Sequence, residues 1–314
     1  MIFDFPSTKI SKKIAKKYGY NEFVIRRWLN FFGSEVEKIV EAFEKGIPKY
    51  IRINTIKTND EKILERLEMR GFKLKKTEIS YCYEVSVEPY SIGSTPEFLM
   101  GYYYVMDKSS CVPPLVLDPK PGEIVLDLAA SPGGKTTMLS MLMKNRGVVI
   151  AVESKEDRIE PLIDNVHRMG AINVAVIKMD GREIGKLGIE FDKVLLDAPC
   201  SGEGVIFKDP ERKKTMCAED IKFCSSLQKE LILAAFDVLK PDGILVYSTC
   251  TLTPEENEMV VDHLLSKRSA VLEEIPFGDK ALNFGNPEVN KARRFYPHKH
   301  KTAGFFVAKI RKLS

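Results

Sequence analysis

Residues Glu123-Ile-Val-Leu-Asp-Leu-Ala-Ala-Ser-Pro-Gly-Gly-Lys-Thr-Thr137 begin with an apolar run, pass through small residues and a proline, and enter a second apolar pattern of helical spacing. The run from Ile124 to Leu128 predicts a buried parallel strand, and Leu139, Leu142 and Met143 predict a helix after the turn. A strand that ends in Ala129-Ala-Ser-Pro-Gly-Gly134 and feeds a helix leaves free backbone N–H groups and the positive end of a helix dipole at the turn. With so few side chains there, a ligand can approach the backbone closely. In an open α/β sheet such turns lie at the carboxyl ends of strands, where nucleotide-like ligands bind.

From Glu123 onward strands and helices alternate. Strand candidates are 124–128, 148–152, 174–177, 193–196, 244–247, 271–275 and 305–310, with helices expected at 134–144, 155–169, 218–239 and 255–267. Thr253 and Glu256 are spaced to form a capping box on the last of these helices, with Pro254 at its first position. Right-handed crossovers make this order a doubly wound, Rossmann-like α/β sheet of seven strands. No helical pattern separates the last two strands, so the final one is expected to run antiparallel.

The second strand ends at Glu153, twenty residues past Gly133, an offset at which a carboxylate can accept both hydroxyls of a bound ribose. The third ends at Asp180, placed to meet the edge of an adenine ring. A competing pattern is the phosphate-binding loop of nucleotide triphosphatases, G-x-x-x-x-G-K-[ST], whose end matches Gly134-Lys135-Thr136. Ala129 stands at its first glycine, Pro132 interrupts the loop, and Glu153 suits a ribose better than a magnesium ion.

Strand four ends Leu196-Asp197-Ala-Pro-Cys-Ser-Gly202, and strand five ends Tyr247-Ser-Thr-Cys250. These strands are neighbours in the usual order of such a sheet, so Cys200 and Cys250 are expected at one edge, beside the ligand turn. Two cysteines in polar, small-residue turns, with Asp197 close by, form a nucleophile constellation. Cys82, Cys111, Cys217 and Cys224 read as structural, the last two on one buried helix face.

Residues 1–100 carry no ligand turn. Lys9, Lys12, Lys13, Lys16 and Lys17 surround Ile10 and Ile14, which predicts an amphipathic helix with a basic face. Packing helices follow as far as Phe43, one of them opened by Ser34 and Glu37 in capping-box spacing. A strand at 50–54, a helix opened by Thr58 and Glu61, and two short strands within 72–87 complete the pattern. A smaller helical and α+β domain, residues 1–100, thus precedes a catalytic domain, residues 101–314, and is a candidate substrate platform.

Hydrophobic content of 44% and charged content of 29% are those of an ordinary globular chain. The net charge of +4 is too small to announce nucleic-acid binding, so the distribution of charge carries that question. No apolar run approaches the roughly 18 residues of a membrane span, and residues 1–7 have no signal-peptide pattern. Six cysteines without a CxxC pair suggest neither a disulfide scaffold nor a zinc site. A reduced, cytoplasmic monomer without metal is expected.

At the cysteine turns the chain resembles the RNA 5-methylcytosine methyltransferases of the NOL1/NOP2/Sun group, which includes bacterial 16S rRNA enzymes, and is most similar to archaeal tRNA members. The resemblance rests on Arg52-Ile-Asn-Thr55, Asp107-Lys-Ser-Ser110, Asp127 to Thr137, Asp197-Ala-Pro-Cys-Ser-Gly202, Tyr247-Ser-Thr-Cys-Thr-Leu-Thr-Pro-Glu-Glu-Asn257 and Gly304-Phe-Phe306. It departs at Ala129-Ala-Ser131, where many relatives read Cys-Ala-Ala, and at Val152-Glu-Ser154, where the acid is kept.

The resemblance implies S-adenosylmethionine as cofactor and RNA, tRNA in particular, as substrate. It implies Cys250 as the nucleophile that adds to cytosine C6, and Cys200 as the group that assists product release. The swapped assignment, used by DNA cytosine methyltransferases, is the alternative. It further implies Asp197 at the base near N3 and Lys135 near the base or the cofactor carboxylate. Cofactor contacts carry over to Ala129, Ala130, Ser131, Pro132, Gly133, Gly134, Lys135, Glu153, Arg158, Asp180 and Asp197. For the RNA, residues 291–301 mix cations with aromatics, and 208–214 form a second basic loop.

Overall fold

The computed structural model describes residues 2–209 and 211–313. Strands β1 (Tyr50–Ile53), β2 (Lys73–Lys76), β3 (Cys82–Val87) and β4 (Tyr103–Val105) form a small sheet in the order β2-β3-β1-β4, with every pair antiparallel. β4 was not foreseen in the sequence, and it carries this sheet past the boundary expected at residue 100.

The large sheet has nine strands: β5 (Ile124–Asp127), β6 (Val148–Glu153), β7 (Val174–Lys178), β8 (Phe191–Asp197), β9 (Leu239–Thr249), β10 (Ala270–Glu273), β11 (Asp279–Lys280), β12 (Arg293–Phe295) and β13 (Phe305–Lys312). Their order is β11-β12-β13-β9-β8-β5-β6-β7, and β5 to β9 are all parallel. All seven expected strands are present, and the final one, β13, is antiparallel to β9. β13 has two partners on its outer side. Phe305–Val307 pair with β12, and Lys309–Lys312 pair with β10.

Alternating side chains of the parallel strands enter two cores, as a pleated strand requires. Leu126, Val194, Leu196, Leu245 and Tyr247 face helices Ala218–Asp237 and Glu258–Lys267, while Val125, Leu195 and Val246 face helices Val112–Leu117 and Gly134–Leu142. Cys82 and Cys111 are buried in the second core. Cys217 and Cys224 do not share a buried face. Cys217 is the N-cap of Ala218–Asp237, where its N–H donates to the carboxylate of Asp220 at 3.1 Å, and Cys224 is only half-buried.

The amphipathic helix forms over Lys9–Tyr18, opened by a reciprocal Thr8–Ser11 capping box and closed by Gly19 at φ 73°. Its apolar side packs on the two helices that follow, Glu22–Phe32 and Val36–Lys45, and not on the small sheet. Ile14 and Ala15 share a core with Trp28, Val40 and Phe43, and also with Ile206, Met216 and Leu252. The expected Ser34–Glu37 box does not form, because a 3₁₀ turn at Gly33–Glu35 occupies that place. Asn59, not Thr58, caps the helix Asp60–Met69 by accepting the Lys62 N–H. Among the described residues no helix is long and apolar enough to cross a membrane.

Candidate active site

The carboxyl ends of the five parallel strands lie along one edge of the sheet, and each carries a residue singled out from the sequence. β5 leads from Asp127 into the glycine turn and helix Gly134–Leu142. Gly133 stands at φ +100°, a left-handed conformation that glycine adopts without strain, and a Cβ there would lie 3.1 Å from Leu162 Cδ1. A Cβ on Gly134 would meet the Tyr104 ring at 3.1 Å. The turn is therefore closely packed at Gly133 and Gly134, with no room for a larger residue at either. Arg52 of the small sheet, fully buried, braces it by donating to the Gly134 carbonyl at 3.1 Å and to Thr137 Oγ1 at 3.0 Å.

Arg158 clamps the other side of the turn. Its guanidinium donates to the Ser131 carbonyl at 2.7 Å, and the Ser131 hydroxyl donates to the Arg158 carbonyl at 2.9 Å. Glu153, at the end of β6, is buried, and its Oε1 accepts the Lys155 N–H at 2.9 Å. Among the described residues its Oε2 accepts no hydrogen bond, and Arg158 Nε lies 3.8 Å away. Asp180 follows β7 and caps the 3₁₀ segment Gly181–Leu187. It accepts the Arg182 N–H at 2.9 Å and pairs with the Arg182 guanidinium. Asp127 is buried, with Oδ2 accepting from Thr136 at 2.7 Å and Oδ1 without a partner among the described residues. Burial pushes its carboxyl up to about 7 against the Thr136 hydrogen bond, a perturbation the spacing of the sequence did not signal.

At the ends of β8 and β9 the two sulfurs meet. Cys200 Sγ and Cys250 Sγ are 3.2 Å apart, both partly exposed. The two turns are also tied by Ser201 Oγ with Thr251 Oγ1 at 3.1 Å and by the Gly204 N–H to the Cys250 carbonyl at 3.0 Å. The hydrogen bond between the sulfurs lowers the Cys250 thiol, and burial and Asp197 oppose it; Lys135 adds a further downward pull. The same bond, with burial, raises Cys200 well above the ordinary thiol range. The two thiols thus titrate as one coupled pair, joined by a hydrogen bond that favours the first ionisation.

Lys135, on the first turn of the helix after the glycines, reaches Asp197 at 2.7 Å, while Ser248 donates to the other Asp197 oxygen at 2.7 Å. Burial disfavours the Lys135 ammonium, but the charge and hydrogen bond of Asp197 outweigh it and its pKa is raised. The fold brings Lys135, Asp197, Cys200 and Cys250 together. Among the described residues no group of three or more His, Cys, Asp and Glu side chains is arranged to hold a metal ion.

Glu256 is a buried carboxyl beside the Cys200 turn that sequence reasoning did not single out. It was assigned to a capping box with Thr253, but Thr253 makes no capping bond and donates instead to Glu203 at 3.0 Å. Glu256 accepts from the Ser201 N–H at 2.9 Å and from Gln228 Nε2 at 3.0 Å. Burial pushes its carboxyl up to about 7, opposed by those hydrogen bonds. Its neighbours are equally committed. Glu255 pairs with Arg27 at 2.7 Å, Asn257 accepts from Thr249 and donates to the Thr251 carbonyl, and Glu258 pairs with Arg294 at 2.6 Å. The only signal in the sequence was three acids and an amide crowded into Glu255–Glu258, more than a helix start needs.

Segment 291–301 is not the base-stacking platform expected. Phe295 and Tyr296 are buried, Arg294 is paired with Glu258, Arg293 with Glu274, Lys299 with Glu35 and Asp279, and Lys291 with Glu288. Its cations and rings close the sheet edge instead.

A family model described as 16S rRNA methyltransferase RsmB/F matches residues 114–311, and one for the RsmF/B-like ferredoxin-like domain matches residues 20–82. The chain is 40% identical to the 28S rRNA (cytosine-C(5))-methyltransferase of Mus musculus, across 98% of this chain but only 40% of the length of that relative. It is 37% identical to the tRNA (cytosine(49)-C(5))-methyltransferase of Pyrococcus abyssi over 97% of both chains. The solved structure of a methyltransferase homolog protein from Pyrococcus horikoshii superposes with a TM-score of 0.90 at 42% identity, covering 98% of this chain and 100% of that one. The chain belongs to the RsmB/F methyltransferase family.

Proposed function

We propose that this protein methylates C5 of a cytosine in tRNA, with S-adenosylmethionine as methyl donor. The observation that carries this reading is the 3.2 Å approach of Cys200 and Cys250 beside the Lys135–Asp197 pair. The cofactor fits the residues present. The buried Glu153 leaves one carboxylate oxygen for the ribose, the glycine turn would admit no bulk beneath the ligand, and Asp127 Oδ1 is a buried acceptor without a partner among the described residues. Residues 129–135, Glu153, Arg158, Asp180 and Asp197 would hold it, Arg158 by bracing the Ser131 carbonyl.

Cytosine C5 is a poor nucleophile. The Cys250 thiolate forms a bond to C6, and the electrons of the C5–C6 double bond move into the ring toward N3 and C5. Asp197, steadied by Lys135 and Ser248, meets the base near N3, and the Lys135 ammonium that it holds there favours that charge. When bound, S-adenosylmethionine supplies the electrophilic methyl that the activated C5 takes up. Loss of the C5 proton then returns its electron pair to the ring, and the C6–S bond breaks with Cys250 leaving as thiolate. Cys200, in contact with that sulfur, assists the release. The assignment of the two roles follows the family resemblance, with the swapped one as the alternative.

The choice of tRNA follows the Pyrococcus abyssi relative, matched along 97% of both chains. The 40% identity to the 28S rRNA enzyme favours rRNA as the second reading. Transfer of labelled methyl to tRNA and to rRNA, followed by bisulfite mapping, separates them. Methyl in tRNA, abolished by Cys250→Ala, is expected. Cys200→Ala is expected to accumulate a covalent RNA–protein adduct, and an adduct trapped by Cys250→Ala instead would reverse the roles.

A further inference from the structure

The basic helix Lys9–Tyr18 finds no use in the chemistry above. Its buried side, Ile14 and Ala15, belongs to a core that holds Trp28, Val40 and Phe43 and continues to Ile206 and Leu252 of the two cysteine turns. The residues that follow the helix are moored beyond Cys200. The N–H of Asn21, the N-cap of the next helix, donates to the Lys213 carbonyl, and the neighbouring Arg212 donates to the Ser201 carbonyl at 2.8 Å. The helix therefore ends next to the segment that braces the Cys200 turn, with its other side exposed. That side presents Lys9, Lys12, Lys13 and Lys16, and among the described residues none of these four forms an ion pair, whereas Lys17 is paired with Glu37 at 3.7 Å. The helix has no acidic residue in its first turn, and Lys208, exposed and likewise without an ion pair among the described residues, lies over the Phe207 ring, which stacks on Phe43 of the same helical group.

Only Lys12 of the four feels a nearby carboxylate, Glu22, so the face keeps a net positive charge at a cost in self-repulsion that an anionic partner would relieve. We infer that Lys9, Lys12, Lys13, Lys16 and Lys208 form a phosphate track that grips the RNA backbone beside the target cytosine. This rests on the proposed RNA substrate, but the surface can be tested apart from the reaction. Each phosphate neutralised releases condensed counterions, so the logarithm of affinity falls with the logarithm of salt by about 0.7 for each contact on a single strand.

The test is RNA binding by the full chain at several salt concentrations, for wild type, a Lys9/Lys12/Lys13/Lys16→Gln variant and the matching Lys→Arg variant. For the Gln variant the salt slope should become shallower by roughly 3 if all four contacts are lost. Binding at low salt should weaken by about tenfold or more, S-adenosylmethionine binding should be retained, and the Arg variant should keep the wild-type slope. An unchanged slope in the Gln variant overturns the inference. So does weakened binding to vesicles of anionic lipid with RNA binding intact. If the wild type binds RNA with the expected slope yet transfers no methyl, the functional proposal fails and the surface stands.

Discussion

The Ser201 N–H donates to Glu256 at 2.9 Å, and so the turn carrying Cys200 is held by a carboxylate from the turn that follows Cys250. This carboxyl stays protonated in the folded chain to about pH 7, whereas in the unfolded chain it ionises near 4.5. Between those values the unfolded state binds fewer protons, so this group's contribution to stability falls as pH rises. Glu256→Gln keeps an acceptor for Ser201 and removes the ionisation. The stability of the variant relative to wild type should therefore improve from about pH 4.5 to about pH 7, by at most roughly 3 kcal/mol. Urea denaturation at both ends of that window measures it, and a difference that does not change with pH contradicts the burial argument.

Lys135 serves both Asp197 and the charge on Cys250. Lys135→Met removes the cation, so the Cys250 thiol should rise and the acid limb of the pH–rate profile should move to higher pH. The rate near neutrality should drop about tenfold or more through loss of thiolate and of the steadied Asp197. A profile that falls in height without moving would restrict Lys135 to binding.

The two sulfurs, 3.2 Å apart, need little movement to reach a bonded distance of about 2.05 Å. With diamide as oxidant, the two thiols should give up two hydrogens to the azo nitrogens and close a disulfide. Methyl transfer should vanish and return with dithiothreitol. Thiol titration should show two groups lost, and peptide mapping should join Cys200 to Cys250. A link found at Cys82 and Cys111 instead, with activity gone, would refute the assignment.

Arg27 and Glu255 are both buried, with the guanidinium and carboxylate 2.7 Å apart. Arg27→Met leaves a buried, uncompensated carboxylate and should cost about 3–5 kcal/mol, whereas Arg27→Met with Glu255→Met should recover much of that loss. Denaturation of the single and double variants checks this. Equal destabilisation by both would mean that packing, not charge, sets the cost.

Much of this architecture was legible because its signals are local. The apolar runs of β5, β6 and β8 alternate between two cores, and Asp197, Cys200 and Cys250 sit at strand ends, where topology alone brings them together. What escaped reading depends on partners distant in the chain. Glu256 has the spacing of a cap but is taken by Ser201, 55 positions away, and Glu255 by Arg27, 228 positions away. β4 is too short to show a period, and it forms because β1 offers it an open edge. The cations and rings of 291–301 looked like an exposed platform only because the acids that neutralise them, Glu258, Glu274 and Asp279, lie on other elements.

The first helix shares one continuous core with Trp28, Val40 and Phe43, and that core runs on to Ile206 and Leu252 of the cysteine turns, so it is no detachable arm. Trimming it away would bare the helices beneath it, one of which stacks Phe43 on Phe207 in the segment after Cys200. A lesion at the start of the chain should thus be felt, through those helices, by the turns that aim the sulfurs.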